Sequence, residues 1–206
     1  MPERGTFALD NERVRYLTEV EEQRLFQAMG DNQQLKDVVT VALHTGMRRG
    51  EIFNLKWFDL DFDRGLIQVR KTKTKLNRVV PMNARVREVF NQQRRASEFV
   101  FTSLKTGGRL KDVKKAFNTA RIEAGIPDFQ LRDLRHSCAT RLSDIGEELV
   151  TVAEILGHTD IRMTKRYSHG SRSESASLLE KLVSFTPRQR GAKNMKKENG
   201  RVRALP

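Results

Sequence analysis

The sequence predicts an α+β fold that is mostly helical with one small antiparallel β-sheet. The chain has 206 residues, enough for a single hydrophobic core. Most of it shows the three- to four-residue apolar spacing of amphipathic helices, whereas residues 66–82 show a hairpin pattern. The single cysteine, Cys138, cannot form an internal disulfide and is too few for a structural zinc site. Packing therefore has to stabilise the fold.

The first half of the chain contains three predicted helices followed by the hairpin. One helix begins after Thr18, and LKDVVTVALHTG forms a more buried helix that ends at Gly46. MRRGEIFNLKWF restarts as a short helix, and DLDFDRG is a turn. LIQVRKTKTKLNRVVPM carries β-branched residues on both sides of a lysine-rich stretch, which predicts a β-hairpin.

The second half is predicted to be helical again. FVFTSLKTGG interrupts it as a short strand and a glycine-containing loop. We interpret the apolar cluster Trp57, Phe58, Leu60 and Phe62 as core, and Cys138 as a buried packing residue. The predicted helices span residues 83–95, 110–124, 132–144, 148–156, 160–167 and 172–183.

The charge balance predicts a polyanionic partner. The chain has 39 Lys and Arg against 26 Asp and Glu, which gives a net charge of +13. Nucleic acid is the first candidate, and an acidic membrane surface is the second. Residues 187–206 hold seven Lys or Arg and one Glu and show no apolar periodicity, which is typical of a disordered tail. This tail is either a nonspecific phosphate binder or a solvated terminus.

Hydropathy predicts a soluble, cytoplasmic protein without a membrane partner. The longest apolar stretch, residues 38–43, is far below the twenty or so residues that cross a bilayer. The N-terminal MPERGTFALDNERVR lacks the apolar segment of a signal peptide.

Four short segments carry residue types suited to phosphate chemistry. They are HTGMRRGE at 44–51, KTKTK at 71–75, RDLRH at 132–136 and LGH at 156–158, and Tyr167 follows nine positions after His158. Arginine guanidinium groups match phosphate oxygens in a bidentate way, and a lysine ammonium can protonate a leaving oxygen. Residues of these types predict a site that binds a phosphate group.

The spacing of these cations indicates which of them can face a common site in some cases and leaves the choice open in others. Arg48 lies at a helix start, where backbone N–H groups favour an anion. Arg49 lies about 100° further round the helix, so we expect only one of the pair to face the site. Strand alternation puts Lys71, Lys73 and Lys75 on one face, and does not choose between Lys73 and Lys75 as the acid.

Tyrosine content limits the choice of nucleophile. Tyr16 and Tyr167 are the two tyrosines of the chain. Tyr167 is flanked by Lys165, Arg166 and His169, and such cations lower the pKa of a phenol. Of the two tyrosines, Tyr167 is therefore the better placed to attack a phosphate.

In these segments and their order, the chain resembles the tyrosine recombinases, the phage-integrase and Xer-like enzymes that break and rejoin DNA. The likeness covers roughly residues 14–184 and implies the catalytic-domain fold of that family. It leaves residues 1–13 as an N-terminal extension and 185–206 as a basic disordered tail. Members usually carry an additional N-terminal DNA-binding domain, so we expect either a fragment or a shortened member.

The resemblance implies a catalytic role for each motif residue. Tyr167 attacks a DNA phosphate and forms a 3′-phosphotyrosyl link that releases a 5′ hydroxyl. Arg48 and Arg135 hold the phosphate, His158 donates a hydrogen bond to it, and Lys73 protonates the leaving oxygen.

Other residues support or flank this set. Glu51 supports Arg48, and His136 is a packed helper. Arg132, one helical turn before Arg135, stands where the family usually has His or Lys, so it can bind a phosphate but not readily accept a proton. DNA-binding cations are expected at Lys71, Lys75, Lys165 and Arg166.

The family chemistry needs neither ATP nor a metal, because the phosphotyrosyl bond conserves the energy of the broken one. The resemblance implies double-stranded DNA as the partner, bound by a homo-oligomer, a tetramer, in which the C-terminal helix at 172–183 docks on a neighbouring protomer. Packing of this helix on its own domain is the alternative. The output would be integration, excision or resolution of DNA. Two alternatives are a noncatalytic DNA-binding remnant and a type IB topoisomerase-like DNA relaxing activity.

Overall fold

The computed structural model describes residues 15–70, 77–103, 105–146, 148–158, 160 and 162–165. Within these residues the chain is mostly helical with one small sheet, which confirms the predicted fold class. The α-helices are α1 (Glu19–Ala28), α2 (Gln33–Thr45), α3 (Arg49–Phe53), α4 (Ala84–Gln92), α5 (Lys114–Glu123), α6 (Asp133–Asp144), α7 (Leu149–Leu156) and α8 (Arg162–Lys165).

The sheet has three antiparallel strands in chain order, β1 (Leu60–Asp61), β2 (Leu66–Val69) and β3 (Arg78–Pro81). Strands β2 and β3 pair as the predicted hairpin, with Ile67 opposite Val80. The prediction of a simple turn over DLDFDRG is wrong in its first half. Leu60 is buried and pairs with Ile67, so the chain extends as a strand before it turns.

Helix ends follow the capping residues of the sequence. Thr18 and Glu21 form a capping box at the start of α1, and Asn32 accepts a hydrogen bond from the Leu35 N–H at the start of α2. Gly46 ends α2 in the left-handed conformation, at φ +60°. These caps confirm the predicted start of α1 and the predicted end of α2, whereas α2 begins at Gln33, two residues before the predicted segment.

Helix α2 is the central element of the core. It packs against α4 on one side and α6 on the other, and its buried side chains include Leu35, Val38, Val39, Val41 and Leu43. Burying an aliphatic side chain of this size contributes about 1.5 to 3 kcal/mol. A smaller cluster of Ala139, Val152 and Leu156 joins α6 to α7. Because α2 and α7 both pack against α6, their C-terminal ends lie beside the same helix.

The interpretation of residues 57–62 as core is wrong for one residue. Leu60 is buried, and Trp57 and Phe62 pack against the core. Phe58 is 59% exposed, and its ring contacts cations, with the Arg70 guanidinium 4.5 Å from the ring centroid. Cys138 is buried as expected, and burial raises the pKa of its thiol to about 11.

Several predictions concern residues that the structure does not describe. These are residues 1–13, the helix at 172–183 and the tail at 185–206. Of the helix predicted at 160–167, the structure describes the part that forms α8, Arg162–Lys165. In the described part of the chain, no helix is long and apolar enough to cross a membrane.

Candidate active site

The turn between α2 and α3 places Arg48 at the start of α3. Thr45 Oγ1 accepts a hydrogen bond from the Met47 backbone N–H at 3.2 Å, and Met47 is buried. Arg48 follows in an extended conformation, at φ −69° and ψ 148°, and caps the helix. Its side chain is 48% exposed. The guanidinium therefore lies next to the N-terminal end of α3 and remains accessible to a ligand.

Glu51 holds Arg48 and a second arginine, Arg78. Its carboxylate accepts the Arg48 backbone N–H at 2.7 Å and the Arg48 Nη1 at 3.1 Å. Arg78 donates to both Glu51 oxygens, at 2.9 and 2.8 Å, and its Nε donates to the Ile155 carbonyl at 3.0 Å. The supporting position predicted for Glu51 thus connects α3, strand β3 and the last turn of α7.

The sequence analysis did not identify Arg78. The alternation of side chains along β3 could have indicated that Arg78 has a buried partner. Arg78 and Val80 share a face of β3, and Val80 is buried, so an arginine on that face needs a buried partner. Sequence spacing does not reveal that this partner is Glu51, 27 residues away.

Glu51 is expected to make stability depend on acid pH. Burial raises the pKa of Glu51, but the hydrogen bonds and charge of Arg78 and the contacts of Arg48 lower it to about 2. In the unfolded chain the same carboxyl group titrates near its ordinary value of 4.5. Its ionisation therefore stabilises the fold by about 3 kcal/mol above pH 4.5, and this stabilisation is lost as the pH falls towards 2.

Urea unfolding of the wild-type protein and of Glu51→Gln between pH 7 and pH 3 measures this effect. The difference in the free energy of unfolding between the two proteins should narrow as the pH falls through 4. Glu19→Gln, an exposed carboxyl group in the first turn of α1, is the control for removal of one charge. A difference for Glu51→Gln that stays constant over this range would contradict the assignment.

Arg135 joins the two ends of the site. It lies on α6, and its Nη1 and Nη2 donate to the carbonyls of Gly46 and Leu156, both at 2.6 Å. Gly46 precedes the turn that carries Arg48, and Leu156 precedes the turn that carries His158. One guanidinium thus brings together three of the segments identified in the sequence.

His158 follows the left-handed Gly157 that ends α7. Its backbone N–H donates to the Ala153 carbonyl at 2.9 Å, and its ring Nδ1 lies 2.7 Å from Thr164 Oγ1. Thr164 is fully buried in α8, so its hydroxyl is a fixed partner for the ring. This contact sets the orientation of the imidazole.

A cavity of about 660 Å³ lies beside this arrangement, between the α2–α3 turn, α5 and the start of α6. Its lining contains six cationic side chains and one carboxylate, Asp128. The high local positive charge favours an anionic ligand. The cations are Arg48, Arg49, Lys114, Arg121, Arg132 and Arg135.

The expectation that only one of Arg48 and Arg49 faces the site is wrong. Both line the cavity. The 100° argument applies to two helical residues, whereas Arg48 is an extended cap and α3 begins at Arg49. Arg49 also lies 3.7 Å from Asp112, so its charge is partly balanced at the cavity wall.

Arg132 and His136 flank Arg135 at the start of α6. Arg132 is the residue before the helix, its side chain is 76% exposed, and it lines the same cavity. Its Nε is 3.8 Å from Asp133, which is a loose ion pair. His136 is half-buried within α6. These positions are compatible with the expected roles but do not test them.

The other site residues that were predicted from the sequence lie outside the described part of the chain. They are Lys71, Lys73, Lys75, Arg166 and Tyr167. Lys165 is the last residue of α8. Among the residues that are described, no group of three or more His, Cys, Asp or Glu side chains is placed to hold a metal ion.

Comparisons with known proteins match this fold and these motifs. The family model described as the phage integrase family matches residues 15–174. The integrase of Salmonella phage P22 is 32% identical over 174 residues, which cover 77% of this chain and 44% of that protein. The catalytic domain of bacteriophage HP1 integrase has a TM-score of 0.67 and 30% identity, covering 88% of this chain and all of that one. The Tn1549 transposon integrase, solved in complex with circular intermediate DNA, has a TM-score of 0.69 and 26% identity, covering 83% and 66%.

The fold matches that of an integrase catalytic domain, and the arginine- and histidine-bearing segments lie together within it. The chain belongs to the phage integrase family, as its motifs indicated. It spans between 40% and 52% of the length of three curated relatives that it matches.

Proposed function

We propose that this chain is the catalytic domain of a site-specific DNA recombinase that cleaves and rejoins duplex DNA through a 3′-phosphotyrosyl intermediate. The observation that carries the proposal is the position of Arg135. Its hydrogen bonds to the Gly46 and Leu156 carbonyls bring the Arg48 and His158 segments together beside a strongly cationic cavity.

The proposed chemistry uses the motif residues of the family. Tyr167 loses its phenol proton to water, its oxygen attacks the phosphorus, and the bond to the 5′ oxygen breaks as Lys73 gives that oxygen a proton. Arg48 and Arg135 stabilise the charge that develops on the nonbridging oxygens. When Thr164 donates to His158 Nδ1, the ring carries its proton on Nε2 and can donate it to the phosphate.

Arg132 binds phosphate in this proposal and does not act as a base. A guanidinium stays protonated at neutral pH, so it cannot accept the Tyr167 proton. Its exposure at the cavity rim supports contact with the DNA backbone. Glu51 keeps Arg48 in place, His136 packs within α6, and the flanking cations Lys71, Lys75, Lys165 and Arg166 bind neighbouring phosphates.

The proposed partner is double-stranded DNA, held mainly through its phosphates. The net charge of +13 and the cationic cavity support this, and such binding weakens as salt rises. A tetramer on DNA, joined through the C-terminal helix at 172–183, is the proposed assembly. Its support is the apolar stripe of Leu178, Leu179, Leu182 and Val183 in the sequence.

Covalent trapping tests this function. The wild-type protein is incubated in EDTA with suicide duplexes that carry candidate sites, and the products are separated on denaturing gels. We expect a protein–DNA band with the wild type and with Tyr16→Phe, and none with Tyr167→Phe. Tyr16 is the matched control because it is the other tyrosine of the chain.

The outcomes separate the proposal from its alternatives. A band that survives Tyr167→Phe would contradict the choice of nucleophile. Duplex binding without any band, across the tested sites, would instead indicate a noncatalytic DNA-binding protein. In that case, a band gained by Arg132→His would identify position 132 as the cause.

A further inference from the structure

Arg78 connects strand β3 to the Arg48 segment and to the His158 segment, which we call the two phosphate-binding segments. Its Nη1 and Nη2 donate to Glu51, which in turn holds Arg48, and its Nε donates to the Ile155 carbonyl, three residues before His158. The side chains of Arg78 and Glu51 are 14% and 11% exposed. All three contacts are therefore largely shielded from water.

The turn at Gly157 is shaped to receive this side chain. A Cβ atom at Gly157 would lie 2.7 Å from Arg78 Cδ and 3.0 Å from Arg78 Nε. Gly157 also adopts φ +68°, which L side chains rarely adopt. The glycine of the LGH segment thus ends α7 and leaves space for the Arg78 guanidinium.

The charges of the group explain what Arg78 does for Arg48. Two guanidinium groups, of Arg48 and Arg78, share one carboxylate, Glu51. Two guanidinium charges and one carboxylate charge leave Arg48, Arg78 and Glu51 together with one net positive charge. Because Arg78 binds both carboxylate oxygens at short distance, this charge lies mainly at the more exposed Arg48. Without Arg78, the largely buried Glu51 carboxylate would have Arg48 as its remaining described cation, and would compete with DNA phosphate for it.

We infer that Arg78 is a positioning residue for the cleavage reaction proposed above: it holds Arg48 through Glu51 and the His158 turn through the Ile155 carbonyl. The inference rests on the proposed function. Both phosphate-binding segments are thereby attached to β3, the strand that directly follows the segment containing Lys73. Lysine cannot replace it, since an ammonium is a point donor that does not span a carboxylate and a carbonyl on different segments.

The closest matched control in the chain is Arg15. It also donates to both oxygens of one carboxylate, Glu21, and its Nε donates to a second acceptor, Asp128. Its side chain is 16% exposed, close to the value for Arg78. Arg15→Lys therefore removes the same kind of contact without touching Glu51 or the α7 end.

The test compares Arg78→Lys with Arg15→Lys in full-length chains. Melting temperature, DNA affinity by fluorescence anisotropy and the single-turnover rate of covalent cleavage are measured for each. We expect similar losses of melting temperature and DNA affinities within about threefold of wild type. Only Arg78→Lys should slow cleavage, by about 10- to 100-fold, the effect of a misplaced reacting group. Equal cleavage rates for the two variants would overturn the inference.

A second comparison, between a single and a double variant that both lack the Arg78 charge, tests the inference if Arg78→Lys folds poorly. Arg78→Met leaves the Glu51 charge to compete for Arg48, whereas Arg78→Met with Glu51→Gln removes it. The two variants are compared at equal folded fraction, measured by circular dichroism, because Glu51→Gln also relieves an unpaired buried carboxylate. Under these conditions the double variant should cleave several-fold faster than Arg78→Met alone, since Glu51 no longer competes for Arg48. No gain would overturn the inference. A wild-type protein without any Tyr167-dependent product would overturn the proposed function and this inference together.

Discussion

Arg135→Lys is expected to slow covalent cleavage by about 100- to 1,000-fold, the loss that follows removal of one charge-stabilising donor. The same guanidinium binds the Gly46 and Leu156 carbonyls, and a lysine ammonium cannot span both. Each carbonyl that loses its donor in a largely buried setting costs about 1 to 3 kcal/mol. Single-turnover cleavage and urea unfolding measure the two effects separately.

Arg141→Lys is the matched control for this prediction. Arg141 lies on the same helix, α6, and its partner is Glu22 of α1, away from the cavity. This variant should cleave at a rate close to wild type. If Arg135→Lys also cleaved at the wild-type rate, Arg135 would be neither a phosphate ligand nor the connection between the α2 and α7 ends.

Gly46→Ala is expected to lower the free energy of unfolding by about 2 to 5 kcal/mol. The left-handed conformation costs an alanine about 1 to 2 kcal/mol, and overpacking adds about 1 to 3 kcal/mol. Overpacking arises because a Cβ at this position would overlap Leu156 Cδ2 and lie 3.4 Å from Cys138 Sγ. Denaturant unfolding, monitored by circular dichroism, measures the loss.

Gly30→Ala separates the two contributions. Gly30 is also left-handed, at φ +52°, but a Cβ there would meet nothing within 4 Å. Its replacement should therefore cost only the conformational part, about 1 to 2 kcal/mol. Equal losses at the two positions would show that Leu156 and Cys138 move aside, and would contradict the close packing of α2 against α6 and α7.

Local signals predicted most of the fold. The Thr18 cap, the Gly46 stop and the β-branched runs of the hairpin each depend on neighbours within a few residues, and each is confirmed. Phe58 differed from the prediction: it is exposed, and its ring contacts Arg70 and Lys56, which meet it only in the folded chain. A hydrophobic residue type alone does not encode that placement.

The candidate site was predictable as a set of segments but not as a network. Family motifs identified Arg48, Arg135 and His158, and the structure places the Arg48 and His158 turns at the two carbonyls that Arg135 binds. Arg78 was missed because its partners, Glu51 and the Ile155 carbonyl, are 27 and 77 residues away. Every residue has a backbone carbonyl, so residue types and their spacing do not predict which carbonyl will accept a hydrogen bond.

The two carbonyls bound by Arg135 have an electrostatic consequence. Both lie at helix C-termini, that of α2 at Gly46 and that of α7 at Leu156. The macrodipole gives such an end about half a negative charge, which repels an anion. Phosphate-binding sites usually use the opposite, N-terminal pole. This domain thus directs two negative poles towards its arginine, whose full positive charge can offset both, so that loss of this one side chain would leave both poles facing a bound anion.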